Sequence, residues 1–330
     1  MTNLAKRTSL APEVRRVIQE LRALYVPTPE FKLLKQQLWE LLEQRRADDA
    51  DGVVPRTRGI VLVGASGSGK TTALEQLARN FSQQMQTDET QEFCEYIYWK
   101  VANSDTTKAM GMEILRAAGY GFGDMSPSKT VPAIFHQVKV NFKLRGTKFL
   151  GIDEAQDLVR HQTDKERQVI VTNLKSLMEN SVWPVGLVLA GTPNLKPIIN
   201  QDVQLARRLR PIEISSLHAI RDVGRVIKIM CAYTDRARIE AAPSISSEEF
   251  ALRLIHAADY QVGLVTEIVV AALIKALSAD GFDARLEVAH FTRVYRERNC
   301  VSSYLNPFEH GGVSAHRDTP MSDLCGRCPR

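Results

Sequence analysis

The stretch Gly59–Thr72, which reads GIVLVGASGSGKTT, decides the fold of this chain. Its first part is apolar and predicts a buried strand, and the apolar residues that follow the stretch recur at helical spacing. Between them lies the pattern G-x-x-x-x-G-K-T, and strand, glycine-rich turn and helix in this order define a phosphate-binding P-loop. A chance turn rich in glycine and serine has a similar composition, but the complete spacing and the correct flanks favour the P-loop.

Each residue type of the P-loop has a physical reason. Gly64, Gly67 and Gly69 are predicted to let the backbone adopt positive φ and approach a polyphosphate closely. The N–H groups of the turn and of the helix start then cradle the anion. Lys70 reaches the β- and γ-phosphates, and the Thr71 hydroxyl ligates Mg²⁺. The predicted nucleotide-binding residues are Gly64, Ala65, Ser66, Gly67, Ser68, Gly69, Lys70, Thr71 and Thr72. The chain is therefore predicted to bind a nucleoside triphosphate with Mg²⁺.

The composition is that of an ordinary globular protein, with 44% hydrophobic and 25% charged residues in a chain of 330. We expect no membrane association, because no apolar run reaches the roughly 18 residues of a membrane span and the polar N-terminus lacks a signal-peptide core. Five scattered cysteines indicate a reducing, cytoplasmic compartment. The net charge of +5 permits contact with nucleic acid without requiring it.

Hydrophobic periodicity divides the chain into four segments. Residues 1–55 are predicted to form a helical extension, 56–215 an α/β core, 216–298 a helical segment and 299–330 a flexible tail. After Ile60–Val63, the strands of the core are predicted at Cys94–Val101, Thr147–Ile152, Trp183–Ala190 and Pro211–Ile214. Strands that alternate with helices indicate a parallel sheet covered on both faces. The predicted fold class is therefore α/β, with a P-loop NTPase core.

A second motif, Phe149–Gln156 or FLGIDEAQ, places an acidic pair at the end of an apolar strand, as a Walker B motif does. Asp153 is predicted to hold Mg²⁺ together with Thr71, and Glu154 to polarise the water that attacks the γ-phosphate. An exposed Asp-Glu pair can also end any core strand, but its presence downstream of this P-loop favours the catalytic interpretation.

The turn after the fourth strand, AGTPN at 190–194, offers a polar side chain to the γ-phosphate or to the attacking water. Thr192 is the first candidate and Asn194 the second. The same residues also suit an ordinary turn with a helix cap, so both interpretations stay open.

The segment Leu205–Pro211, LARRLRP, lies just before the fifth strand and is rich in arginine. An arginine placed here can reach the γ-phosphate of a neighbouring subunit, as arginine fingers do. The alternative is a solvated basic helix end that interacts with the helix dipole, and the segment considered alone favours it.

These motifs together resemble those of AAA+ ATPases: the P-loop, the pair Asp153 and Glu154, Thr192 on the next strand, paired arginines before the last strand, and a helical C-terminal lid. The N-terminal helical segment and the sequences IDEAQ, AGTP and LARR look like those of the TniB/TnsC transposition ATPases, over residues 15–295. The resemblance implies ATP as the nucleotide and an arginine finger at Arg207 or Arg208, which reverses the preference for the solvated helix end.

The resemblance also implies a function. It implies ATP-dependent oligomerisation on double-stranded DNA, in a ring or a filament, selection of a target site with a target-selection protein, and recruitment of a transposase. Many AAA+ proteins carry an arginine on the lid helix where this chain has Gly263–Thr266, GLVT, so slow, regulatory hydrolysis is expected. Two alternatives are a signalling or defence NTPase that switches protein contacts without DNA, and a replication-type ATPase that loads a helicase.

Candidate DNA contacts follow the second strand. Lys100, Thr107 and Lys108, with the neighbouring Thr106, lie on and after this strand, and Lys129 opens the next predicted helix. Lysines and hydroxyls at helix starts suit phosphates, and binding without sequence preference needs little else. A solvated charged face explains the same residues, and the sequence alone favours that explanation.

The tail contains Cys325 and Cys328 at the CxxC spacing. One such pair cannot supply the four ligands of a structural zinc site, although His310 and His316 could join it. A flexible tail that binds a partner is the preferred interpretation.

Overall fold

The computed structural model describes residues 10–84, 94–101, 106–120, 130–160, 162–299 and 306–309. These described residues form two compact units, one within the range 25–216 and one that combines the described parts of 1–24 and 217–330. The first helix, α1 (Pro12–Ala23), belongs to the second unit, and the next, α2 (Pro29–Ala50), belongs to the first. The described part of the N-terminal segment 1–55 is thus divided between the two units.

The unit of residues 25–216 is built on a five-stranded sheet in which all neighbours are parallel. The strands are β1 (Gly59–Gly64), β2 (Tyr96–Lys100), β3 (Phe149–Asp153), β4 (Gly186–Gly191) and β5 (Leu209–Ile214). Their order across the sheet is β2-β3-β4-β1-β5, with β1 between β4 and β5. The predicted α/β class with a parallel sheet is confirmed.

Helices cover both faces of this sheet. They are α3 (Lys70–Gln84), α4 (Thr107–Ala117), α5 (Val131–Leu144), α6 (Asp164–Met178), α7 (Leu195–Asn200) and α8 (Val203–Arg208), with α2 before them. Because alternate strand residues point to opposite faces, Ile60 and Leu62 of β1 pack with α2 and α3, whereas Val61 and Val63 pack with α4, α5 and α6. Apolar residues fill both faces of β1, as burial on two sides requires.

The second unit is helical. It contains α1, α9 (Val223–Ala237), α10 (Glu248–Ala257), α11 (Val262–Asp280) and α12 (Val288–Asn299), with a short parallel bridge between β6 (Glu240–Ala241) and β7 (Arg285–Leu286). Among the described residues, α11 and its extension to Asp283 form the one stretch long and apolar enough to cross a membrane by length and composition. Its buried side packs against α1, α9 and α12, so α11 is the central helix of this unit.

A charged cluster joins α2 to the starts of β2 and β3. Glu95 accepts a hydrogen bond from Arg46 Nε at 3.1 Å and forms an ion pair with Lys148 at 3.0 Å. Lys148 also lies 3.5 Å from Asp49. Burial alone would raise the pKa of Glu95, but the hydrogen bonds from Arg46 and Lys148 outweigh it and lower this pKa below its ordinary value. Glu95 therefore stabilises the fold as a carboxylate.

We expect Glu95→Gln to destabilise the protein at pH 7 by about 1–3 kcal/mol, because Arg46 and Lys148 lose a charged acceptor. A lowered folded pKa gives stability that is present above the unfolded pKa, about 4.3, and is lost as pH falls through the folded pKa. The difference from wild type should therefore shrink in acid. Urea denaturation at pH 7 and below pH 4 measures this. Glu43→Gln is the control, since Glu43 pairs with the same Arg46 but is half exposed; equal effects of both changes contradict the prediction.

Candidate functional site

The turn between β1 and α3 has the shape of a P-loop. Gly67 and Gly69 adopt φ of 76° and 93°, a region that side chains rarely enter. Gly64 does not adopt positive φ, so the predicted positive φ is wrong for this residue. A Cβ on Gly64 would lie 2.6 Å from Ser68 Oγ and 3.1 Å from Ile214 Cβ, so close packing requires a glycine there.

The ammonium group of Lys70 lies within this loop. Lys70 is 5% exposed, and its Nζ donates to the carbonyl of Gly64 at 2.8 Å and to that of Ala65 at 2.7 Å. Burial lowers the pKa of Lys70, and the carboxylates of Glu154 and Asp153 oppose this shift. The loop therefore holds a cation beside its backbone amides, where an anionic ligand binds.

The hydroxyl of Thr71 meets the carboxylate of Asp153. Thr71 Oγ1 donates to Asp153 Oδ2 at 2.7 Å, which joins the start of α3 to the end of β3. Asp153 is fully buried, and Tyr98 donates to the same oxygen at 3.3 Å. Burial, then the negative charge of Asp153, raises the pKa of Tyr98, so this phenol remains a donor. The hydroxyl oxygens of Thr71 and Tyr98 thus both lie within hydrogen-bond distance of Asp153 Oδ2.

These oxygens fit Mg²⁺. Within the described residues no three His, Cys, Asp or Glu side chains cluster as metal ligands. Mg²⁺ does not need such a cluster, since it is usually held by one or two carboxylates with phosphate oxygens and waters. Thr71 and Asp153, the two predicted ligands, would supply the protein oxygens of such a site.

Glu154 follows Asp153 in a left-handed backbone conformation, with φ 54° and ψ 39°, and begins the 3-10 turn Ala155–Leu158. Its Oε2 accepts from Gln156 Nε2 at 2.6 Å. Gln156 Oε1 accepts in turn from the backbone N–H of Thr192 at 3.0 Å. The structure therefore joins the two candidates Glu154 and Thr192 through Gln156. Sequence reasoning assigned no role to Gln156, although its spacing from Glu154 was a usable signal.

The second candidate on the β4–α7 turn, Asn194, is exposed, and its side chain makes no capping hydrogen bond at the start of α7. The side chain of Thr192 is half-buried, and its backbone is tied to the Walker B turn. The geometry therefore favours Thr192 over Asn194 as the polar residue nearest to the acidic pair.

The arginines lie at the amino-terminal end of β5, whereas the P-loop follows the carboxyl end of the neighbouring strand β1. Leu209, directly after Arg208, pairs in register with Gly59, whereas Ile214 pairs with Gly64 at the P-loop. Five steps along the strand, at about 3.3 Å each, separate these positions by about 17 Å. Within one chain, Arg207 and Arg208 are therefore not part of the P-loop site.

The three arginines of this segment differ in their contacts. Arg208 forms an ion pair with Glu179 at 3.0 Å, and Arg210 one with Glu40 at 3.5 Å. Arg207 is exposed and forms no ion pair with any residue that the structure describes. Arg207 is therefore the member of this group that is free to reach another molecule.

The candidate DNA-binding residues lie near the carboxyl edge of the sheet. Lys100 is exposed, ends β2 and pairs in register with Asp153. Thr106 caps α4 by accepting from the N–H of Ala109 at 3.1 Å, and Thr107 and Lys108 are the first residues of that helix. Lys129 lies outside the described residues, as do His310, His316, Cys325 and Cys328 of the tail.

The segment at which the AAA+ resemblance places a lid-helix arginine contains no basic residue. Gly263–Thr266 lies in the first turns of α11, where the Thr266 hydroxyl donates to the carbonyl of Val262 at 3.2 Å. A threonine bonded to its own helix cannot replace the guanidinium group that many AAA+ proteins carry there.

A central β1 that ends in a P-loop, an acidic pair after β3 and the strand order β2-β3-β4-β1-β5 define the class as an AAA+ P-loop protein. The chain belongs to the family described as Bacterial TniB protein, whose profile matches residues 24–218. The family resemblance inferred from the motifs is thereby confirmed. A comparison with curated proteins gives no match at the threshold applied.

Solved structures share this fold. The chain is similar to the Aeropyrum pernix ORC2 protein in its ADPNP-ADP complexes, with 14% identity, a TM-score of 0.59 and coverage of 87% of this chain and 72% of the other. It is equally similar to the Aeropyrum pernix ORC1 protein in complex with DNA, with 14% identity, a TM-score of 0.59 and coverage of 86% and 69%. At these identities the likeness shows the AAA+ fold.

Proposed function

We propose that this protein is an ATP-dependent regulator of DNA transposition that oligomerises on target DNA and recruits or activates a transposase. The observation that carries the proposal is the convergence of Lys70, Thr71, Asp153 and Glu154 on one P-loop in a chain of the TniB family. The ADPNP and ADP complexes of the structurally similar ORC2 protein support a nucleotide at this site.

The residues of the site divide the work of hydrolysis. The P-loop amides and Lys70 bind the β- and γ-phosphates, and Thr71 and Asp153 would hold a magnesium ion. This ion would supply positive charge to the phosphate oxygens. Glu154 orients and polarises the attacking water, and Thr192 contacts the γ-phosphate from the neighbouring strand. Without a lid-helix arginine, we expect the hydrolysis to be slow and regulatory.

DNA is the proposed partner of the assembled protein. The ORC1 protein of the similar structure is in complex with DNA, and the resemblance of the motifs to those of TniB/TnsC transposition ATPases implies a role on DNA. Lys100, Thr107, Lys108 and Lys129 are the proposed contacts to DNA phosphates, which suit binding without sequence preference. A transposase and a target-selection protein are the proposed protein partners, in the cytoplasm.

We expect the protein to bind random-sequence duplex DNA with a slowly hydrolysed ATP analogue and not without nucleotide. Affinity should fall steeply with salt, because phosphate contacts release counterions, and Lys108→Ala should weaken binding to all sequences equally. Removing one lysine that binds a phosphate should make the salt slope shallower by about 0.9. Fluorescence anisotropy over a series of salt concentrations measures both quantities.

Lys35→Ala is the matched control, since Lys35 is an exposed lysine on α2, which covers the opposite face of the sheet from α4. Salt-insensitive binding, or none with the ATP analogue, contradicts the proposal and favours a nucleotide switch that acts through protein contacts. A transposase encoded beside this chain distinguishes a transposition regulator from a helicase loader.

A further inference from the structure

The amide of Gln156 lies between two elements of the site. It donates to the Glu154 carboxylate at 2.6 Å and accepts from the Thr192 N–H at 3.0 Å. A carboxylate can only accept and a backbone N–H can only donate, so both partners require the same orientation of this amide. The side chain of Gln156 thus forms a bridge from the Walker B turn to the β4–α7 turn.

The surroundings of Gln156 are shaped for this bridge. A Cβ on Gly191 would lie 2.5 Å from Gln156 Oε1, so the absence of a side chain on Gly191 makes room for the amide. The left-handed conformation of Glu154 and the hydrogen bond from the Asp157 N–H to the Glu154 carbonyl, at 2.8 Å, form the tight turn that brings side chains 154 and 156 together. Two independent features of the backbone therefore serve one side-chain contact.

We propose that Gln156 is a positioning residue for ATP hydrolysis, which holds the water-polarising carboxylate of Glu154 at a fixed place relative to the turn at Thr192. This inference rests on the proposed ATPase function. Since Thr192 is the proposed contact to the γ-phosphate, any displacement of this turn by the nucleotide is passed to Glu154 through Gln156. The bridge makes the position of the carboxylate depend on what the γ-phosphate site contains.

Few side chains can replace glutamine in this bridge. Glutamate would set a second carboxylate against Glu154, and asparagine is one methylene too short to span both partners. Methionine fills a similar volume but offers neither the donor nor the acceptor. Gln156→Met therefore removes the hydrogen bonds while keeping the packing, and it is the main test variant.

The experiment measures kcat and KM for ATP hydrolysis, and the affinity for a fluorescent ATP analogue, in wild type, Gln156→Met and Gln156→Ala. We expect kcat to fall about 10–100-fold, as for other residues that orient a catalytic group, with affinity changed less than about threefold. Thermal denaturation by circular dichroism shows whether each variant is folded, and Gln156→Met remains informative where the alanine variant unfolds.

Gly191→Ala supplies an independent test, because its added methyl displaces the end of the Gln156 side chain. We expect Gly191→Ala to lower kcat in the wild-type background and to have little further effect in Gln156→Met, since both changes break the same bridge. Gly224→Ala is the control, because a Cβ at Gly224 meets no atom within 4 Å. It should leave kcat unchanged.

If Glu154→Gln abolishes hydrolysis, the proposed ATPase function stands. Two results would then overturn the inference about Gln156 alone. One is an unchanged kcat in folded Gln156→Met, and the other is additive losses of kcat from Gly191→Ala and Gln156→Met. A purely structural role would change affinity and kcat together, which also contradicts positioning. A wild-type chain that neither binds nor hydrolyses ATP overturns the proposed function itself, and the inference with it.

Discussion

Glu154→Gln is expected to bind ATP with wild-type affinity and to lose hydrolysis by about 10²–10⁴-fold, the usual contribution of a positioned acid or base. The substitution keeps the size of the side chain but removes the charge that polarises the attacking water. The phosphate cradle keeps its hydrogen bonds, because those from Lys70 to the loop carbonyls and from Thr71 to Asp153 do not include the Glu154 side chain. The ATP complex should therefore persist, and single-turnover hydrolysis with equilibrium binding measures both parts of the prediction.

Lys70→Ala is the comparison variant, because it should already fail to bind ATP, the step before hydrolysis. The Lys70 ammonium is the cation held inside the loop, by the carbonyls of Gly64 and Ala65, so its loss should weaken nucleotide binding sharply. A Glu154→Gln protein that hydrolyses ATP at the wild-type rate shows that the catalytic role is assigned to the wrong residue. Loss of ATP binding in Glu154→Gln contradicts the assignment of ATP binding to the P-loop and of water activation to Glu154.

Local sequence patterns predict much of the fold. The spacing of apolar residues predicts the buried face of α2, and the structure buries Phe31, Leu34, Leu38, Leu41 and Leu42. A threonine followed by a proline, as at Thr28 and Pro29, is typical of the start of a helix. In the structure Thr28 accepts from the Phe31 N–H at 3.1 Å, and Pro29 is the first helical residue. Such signals are local, since they depend on residues within one or two turns.

The features that the sequence does not predict depend on distant residues. The helical spacing of Val14, Val17 and Leu21 predicts one buried face for α1, and the structure buries these residues. This spacing does not predict that α9 and α11 cover the face. Likewise, the motif predicts positive φ at Gly64, whereas this glycine leaves room for Ser68 and Ile214, the latter 150 residues away in sequence numbering. The spacing of apolar residues identifies the buried face of a helix or strand, but only the tertiary structure shows which elements pack against that face.

In the candidate site, the motifs locate the P-loop and the acidic pair because this chemistry requires fixed residue types at fixed spacing. The role of Gln156 is not visible in the sequence, since it depends on Thr192 from another strand. The choice between Arg207 and Arg208 also needs the structure, because Glu179, which binds Arg208, lies on a different element. The structure therefore adds the side-chain partners that decide between candidates.

Arg207 is expected to act in trans, on the nucleotide of a neighbouring subunit. It precedes Leu209, the first residue of β5, and five strand steps of about 3.3 Å each place Leu209 about 17 Å along the strand from Ile214, which pairs with Gly64 of the P-loop. We therefore do not expect Arg207 to serve the nucleotide site of its own chain. Arg207 is exposed, whereas Arg208 forms an ion pair with Glu179 in the same chain. A guanidinium that meets the γ-phosphate only after assembly would couple ATP binding to oligomerisation.

Arg207→Ala should therefore bind ATP as a monomer but lose assembly and hydrolysis. Arginine fingers contribute roughly 10³–10⁵ in rate where they have been measured, and a slow ATPase gains less. Arg208→Ala is the matched control, because it removes the same charge one residue away and should mainly break the pair with Glu179. Size-exclusion chromatography with light scattering, with and without an ATP analogue, measures assembly, and steady-state ATPase assays measure the rate.

Mixing Arg207→Ala with Lys70→Ala protein tests action in trans directly. In a mixed oligomer, the intact P-loop of one variant can face the intact Arg207 of the other, so part of the activity should return although neither variant is active alone. No recovery at any ratio, in mixtures shown independently to assemble together, contradicts action in trans. Normal assembly and hydrolysis by Arg207→Ala would show that Arg207 is not the arginine finger. A loss confined to Arg208→Ala would assign the finger to Arg208. Arg208 would then have to break its ion pair with Glu179 when subunits assemble.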